Sequence, residues 1–140
     1  MITKQLSDFW NANPTVRHYV KGRLFLAAAH QDQPLPYIIL RVISHQSLYT
    51  LTNEDGCRFA VVEVDIYADT VTEAHDIAES IRMATSGYYG PAGDGYINGC
   101  TLESDNEQRV MRRDGKGFFF NKSVDYRINF TQPVPNHGAR

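Results

Sequence analysis

Side chains alternate between two faces over residues 57–67. Ala60, Val62, Val64 and Ile66 point one way, and Phe59, Val61, Glu63, Asp65 and Tyr67 point the other, the period of two that belongs to a strand. Directly afterwards the period changes. Val71, Ala74, Ile77, Ala78, Ile81 and Ala84 fall on one arc of about 140° at 100° per residue, which predicts an amphipathic helix over about 71–85. Thr70 and Glu73 have the spacing of a capping box. Acids early in the helix and Arg82 late in it suit the helix dipole. Only Met83 breaks the pattern, an apolar side chain projecting from the polar side.

The remaining elements follow from weaker patterns. Leu6, Phe9 and Trp10 predict a short helix over 3–11, ended by Asn13-Pro14 because the residue before proline avoids helical backbone. The runs 23–29 and 37–45 read as strands, the second apolar on both faces and therefore an inner one. Residues 96–105 read as a strand weakened by Gly99. In 123–131, Val124, Tyr126, Ile128 and Phe130 alternate strictly with Asp125, Arg127, Asn129 and Thr131, which predicts the last strand. Between these two lies a charged excursion, 104–117, whose turn signal at Asp114-Gly115 allows a small hairpin of its own. The order of elements predicts an α+β fold: a mostly antiparallel sheet with one strong amphipathic helix (about 71–85) and a short N-terminal helix packed on one face. The expected layout is one domain over 1–131 and a flexible, proline-bearing tail over 132–140.

The stretch SGYYGPAGDG, residues 86–95, has the glycine content of a phosphate-binding loop. Its place in the chain argues otherwise. A phosphate cradle precedes a helix N-terminus, where N–H groups point outward. This stretch follows a helix C-terminus and lacks the Lys-Ser/Thr ending, so Gly87 is read as the left-handed residue after the helix and the rest as turns. Tyr88 and Tyr89 remain as candidate contact residues.

Composition narrows the function classes. Fourteen basic against sixteen acidic residues give a net charge of −2, which argues against a dedicated duplex-DNA binder. No apolar run reaches the roughly 20 residues that span a bilayer. The N-terminus has no secretory apolar core. Cys57 and Cys100 are too far apart for a metal motif, and His18, His30, His45, His75 and His137 show no ligand spacing. No metal or cofactor is expected.

Two constellations remain. Glu63 and Asp65, about 6.6 Å apart along one strand face, have a separation compatible with an acid–base pair. They share that face with Arg41, Asp125 and Arg127, so a mixed-charge surface facing solvent, a subunit or a ring lumen is the simpler reading. Separately, Arg109, Arg112, Arg113, Lys116 and Lys122 surround Phe118, Phe119 and Phe120. Basic residues among aromatics suit single-stranded nucleic acid. They also suit a protein interface, and three consecutive phenylalanines cannot all face one core. Met83, Tyr88, Tyr89, Arg112, Arg113 and Phe118–Phe120 are the candidate assembly residues.

Three stretches carry a family resemblance: LPYIILRVIS, VVEVDIYADTVTEAHDIAESIRMA and YRINF. Leu35-Pro36, the run 64–68, the capped start 70–74 and the strand 125–130 together resemble the tail-terminator (tail-completion) proteins of long-tailed bacteriophages and gene-transfer particles, over about 23–131. The resemblance implies a non-enzymatic virion subunit that forms a ring, typically of six, on the head-proximal end of the tail. Its implied partners are its own copies, the tail-tube protein and a head-completion or neck protein, with DNA passing through the lumen without specific binding. Assembly in the host bacterial cytoplasm and no membrane contact are implied as well. The departures are the basic-aromatic stretch 108–122 and the Gly-rich loop. They keep open a neck or connector role, a nucleic-acid module using 109–122, and a small enzyme using Glu63 and Asp65.

Overall fold

The computed structural model describes residues 2–26, 34–49, 54–93, 95–111, 115 and 117–131. Two helices open the chain, α1 (Ile2–Asn11) and α2 (Pro14–Val20). The strands β1 (Leu24–Leu26), β2 (Tyr37–Tyr49) and β3 (Glu54–Ala68) follow, then α3 (Val71–Thr85). The short β4 (Gly90–Ala92) leads into the long pair β5 (Gly95–Met111) and β6 (Phe118–Thr131).

All six strands form one sheet in the order β1-β2-β3-β6-β5-β4. β1 pairs parallel with β2, from Leu24 opposite Ile38 to Leu26 opposite Leu40. Every other pairing is antiparallel, so the sheet is mixed. α1 packs on β1, β2 and β4. Because β1 and β4 lie at opposite edges, one helix can reach both only if the sheet curls around it, giving a half-barrel.

This overturns the expected fold class. The described residues are mostly strand, in a curled mixed sheet with three helices, and no one helix dominates. α2 was missed because Asn13-Pro14 was read only as a stop. It is equally a start: the Asn13 side chain accepts from the N–H of Thr15 (3.0 Å) and Val16 (3.1 Å), and Pro14 takes the first helical position, where a missing N–H costs nothing. α1 contributes as much to the core as α3 does, burying Ile2, Leu6 and Trp10.

α3 occupies its predicted span with a rotated inner face. Ala74, Ile77 and Ile81 are buried as expected, but Val71 is 42% exposed and Ser80 and Thr85 are buried. Both polar side chains are satisfied there. Ser80 donates to the Ile77 carbonyl at 2.7 Å, and Thr85 Oγ1 accepts from the Trp10 indole N–H at 2.8 Å. A hydrophobic-arc count has no means of placing such residues inward. The cap forms as read, with Thr70 Oγ1 accepting from the Glu73 N–H at 3.1 Å. Glu73 reaches back to the Asp69 N–H at 3.3 Å.

The charged excursion is a continuation of the sheet. β5 and β6 stay paired out to Met111 opposite Phe118. The strand read over 96–105 therefore runs on to Met111; residues 101–109 are exposed on both faces, so beyond 105 no alternation marked its continuation. The Gly-rich stretch becomes a turn and an edge strand. Gly87 is left-handed at φ +74°, and residues 90–92 pair with 95–97. Gly95 must lack a side chain: a Cβ there would lie 1.8 Å from Gln5 Nε2 and 2.8 Å from the Thr131 carbonyl oxygen.

Candidate functional site

The alternation of β3 puts Ala60, Val62, Val64 and Ile66 under the helices, all fully buried. Its other face is helix-free and carries the expected polar set. The register places Arg41, Glu63, Asp125 and Ser104 in one row across four strands. Arg41 Nη2 donates to Asp65 Oδ2 at 2.8 Å and also to Glu63 Oε1. Ser123 Oγ donates to Asp65 Oδ1, so Asp65 is held on both oxygens and is only 4% exposed. Burial, followed by the Asp65 carboxylate beside it, pushes the Glu63 carboxyl above its usual range against the pull of Arg41.

The two remaining members of the set have other partners. Asp125 Oδ2 accepts from Ser104 Oγ at 2.8 Å, while its Oδ1 is buried without a hydrogen bond. Arg127 stacks over the Phe59 ring at 4.3 Å. Glu63 and Asp65 thus sit in a charge cluster on an open sheet face, with Arg41 occupying the position between them.

An aromatic row, missed in the sequence, borders this cluster. Phe25 and Tyr37 are 6.1 Å apart, Tyr37 and Tyr67 stack at 4.9 Å, and Tyr67 meets Phe119 at 6.0 Å. The row crosses β1, β2, β3 and β6. Each member is an ordinary strand aromatic in sequence, and only the pairing register brings them together. The three consecutive phenylalanines split by strand alternation: Phe119 joins this row, while Phe118 and Phe120 point the other way. Phe118 is 40% exposed and lies 4.5 Å from the Arg109 guanidinium. Phe120 is half-buried opposite Ala68.

Of the other candidate assembly residues, Met83 is 71% exposed and Tyr89 is 73% exposed. Tyr88 is held back by the core, with its ring 4.5 Å from Phe9 and its hydroxyl donating to the Pro91 carbonyl at 2.6 Å. Arg112 and Arg113 lie outside the described residues, as do Lys116 and 132–140.

A groove of about 250 Å³ separates α3 from β5 and β6. Lys122, 8% exposed, donates to Asp105 at 2.6 Å there, and His75 Nε2 meets Glu107 at 2.7 Å. Tyr126 lines the same groove, its hydroxyl pushed up to about 12 by burial. Burial likewise pushes the Cys100 thiol up to about 12, which keeps it from acting as a thiolate at neutral pH. Among the described residues no cluster of three His, Cys, Asp or Glu could hold a metal ion. Among them, too, no helix is long and apolar enough to cross a membrane.

No curated protein sequence matches the chain. A chain in the virion of a native gene transfer agent (GTA) particle has a similar fold, with a TM-score of 0.72 over 94% of this chain and 95% of that one at 14% identity. The family model for tail completion protein gp17 matches residues 5–130. That match covers both capped helices and the curled sheet except the last residue of β6, and on it the chain belongs to the tail completion protein gp17 family.

Proposed function

We propose that this chain is a non-enzymatic structural subunit of a phage or gene-transfer-agent tail, which closes into a ring on the head-proximal end of the tail tube and receives the head. The family match over residues 5–130 carries the reading, and the resemblance to terminator proteins supplies the ring of six. The surface fits the role. Met83, Tyr89 and Phe118 are large, exposed and apolar or aromatic, side chains of the kind that contact surfaces use. A ring contact is heterologous, so one surface must meet a different one. Acids on the helix-free face would repel phosphates if that face lines the lumen, letting DNA pass without sticking.

The test adds purified subunit to purified tail tubes. Rings on one tube end, tubes of fixed length and recovery of head attachment support the proposal. A chain that stays monomeric with tubes present, and leaves tube length uncontrolled, refutes it.

One observation favours a second reading. Arg109 over the exposed ring of Phe118 is the kind of stacked platform that holds single-stranded bases. Binding of a labelled oligonucleotide that weakens with salt and is lost in Phe118→Ala would support it.

A further inference from the structure

We infer that the outer edge of β5, residues 101–111, takes a strand edge from a second copy of the chain, and that this edge is β1 of the neighbour. The inference rests on the ring reading and specifies which surfaces meet.

The starting point is backbone pairing. β6 covers the inner edge of β5 along its whole length, from Tyr96 opposite Thr131 to Met111 opposite Phe118. On the outer edge, among the described residues, β4 pairs only with Gly95, Tyr96 and Ile97. The Cys100 carbonyl is taken by the Gly87 N–H at 3.1 Å. Beyond it, alternate residues of 101–111 direct N–H and C=O outward, about five residues' worth of groups with no backbone partner among the described residues, in antiparallel geometry. An open edge of this length is a template for another strand.

The occupant follows from symmetry and charge. Two β5 edges meeting about a twofold axis would set Glu103, Asp105 and Glu107 against themselves, and like charges directly opposite are unfavourable. A ring needs two different surfaces. Among the described residues the far side of the sheet ends in β1, which pairs with Ile38, Ile39 and Leu40 of β2, and the chain enters that strand directly from α2. That side carries Arg17 and Lys21, both exposed and without an ion-pair partner among the described residues, while Leu26 is 39% exposed. On the β5 side, Glu103 is exposed and equally without an ion-pair partner among the described residues. Opposite charge on opposite edges suits head-to-tail joining, and the curl of each sheet turns successive copies toward closure.

Amide hydrogen exchange of the full chain, read by mass spectrometry free in solution and assembled on tail tubes, tests this without altering the protein. The outward-facing amides of 101–111, about half of that stretch, should exchange readily in the free chain and slow roughly tenfold or more on assembly, together with those of 24–26. Rings whose 101–111 amides exchange as fast as in the free chain overturn the inference and leave the ring standing. Protection of 101–111 without change at 24–26 overturns the choice of β1 as occupant. Protection of the outward-facing half of the 101–111 amides already present in the monomer means the edge is not open and also overturns it. Failure to assemble on tubes at all removes the ring reading and this inference with it.

Discussion

Replacing Thr85 by valine should destabilise the protein through a residue 75 positions away. Thr85 Oγ1 accepts the indole N–H of Trp10 at 2.8 Å, and both side chains are fully buried. Valine keeps the shape of threonine and removes the acceptor. The indole N–H is then left in the core with no partner, which costs about 1–3 kcal/mol. For a chain of this size that corresponds to roughly 2–4 °C of Tm per kcal/mol. Trp10→Phe removes the donor and part of the ring volume as well, so it should cost more. In the double variant neither partner is orphaned, and the coupling from the cycle should be about 0.5–1.5 kcal/mol. The assay is urea denaturation followed by circular dichroism for all four proteins. Fluorescence of Trp10, the only tryptophan of the chain, provides a second probe in wild type and Thr85→Val. The consequence exceeds one bond, because α1 is the element that touches β1, β2 and β4 and so holds the curl. Unchanged stability in Thr85→Val, or additive single variants, would show that α1 is not pinned to the end of α3.

Gly95→Ala should destabilise by about 1–3 kcal/mol, since the new Cβ meets a backbone oxygen at 2.8 Å, whereas Gly99→Ala, with nothing within 4 Å of its Cβ, should leave the unfolding free energy from urea titration within about 0.5 kcal/mol of wild type. Glu63 has a folded-state carboxyl raised above its unfolded value, so it binds its proton more tightly when folded, and stability should fall as pH rises from the ordinary glutamate value through the raised one. Glu63→Gln should flatten that part of the pH–stability curve, and an unchanged slope would count against the burial argument. With its thiol pushed up to about 12 by burial, Cys100 should resist iodoacetamide at pH 8 in a Cys57→Ser background until urea unfolds the chain, and rapid labelling of the folded protein would contradict this. Ile77→Asp places an unpaired charge at a fully buried position and should prevent folding, while a soluble variant with wild-type Tm would mean α3 is oriented wrongly.

What could be read from the sequence divides along a physical line. Where one face of an element is buried and the other wet, the pattern was visible: the period of β3, the span of α3 and the alternation of β6 all rest on burial differences that residue types record. The polar cluster was legible for the same reason, because Arg41, Glu63 and Asp65 each fall on the wet phase of a strand. Its bonding was not, since the serine that holds Asp65, Ser123, comes from β6, 58 positions along the chain, and only the register joins them. The aromatic row Phe25, Tyr37, Tyr67 and Phe119 was hidden in the same way.

The far end of β5, beyond 105, was illegible for a different reason, and the reason bears on function. A strand is recognised by the contrast between its faces, and residues 101–109 have none because both faces are exposed. Their strand conformation comes from β6 alone. Such a segment is costly for an isolated molecule, which must order a long charged strand with little apolar burial to offset the lost entropy. Monomeric proteins blunt such edges with charge and bulges, and this one has both, including the register shift between Leu102 and Ser104. Charge, however, only deters partners of the same sign. An acidic edge repels its own image and admits a basic one, so the feature that keeps the free subunit from pairing with itself face to face is also what directs a head-to-tail neighbour onto it.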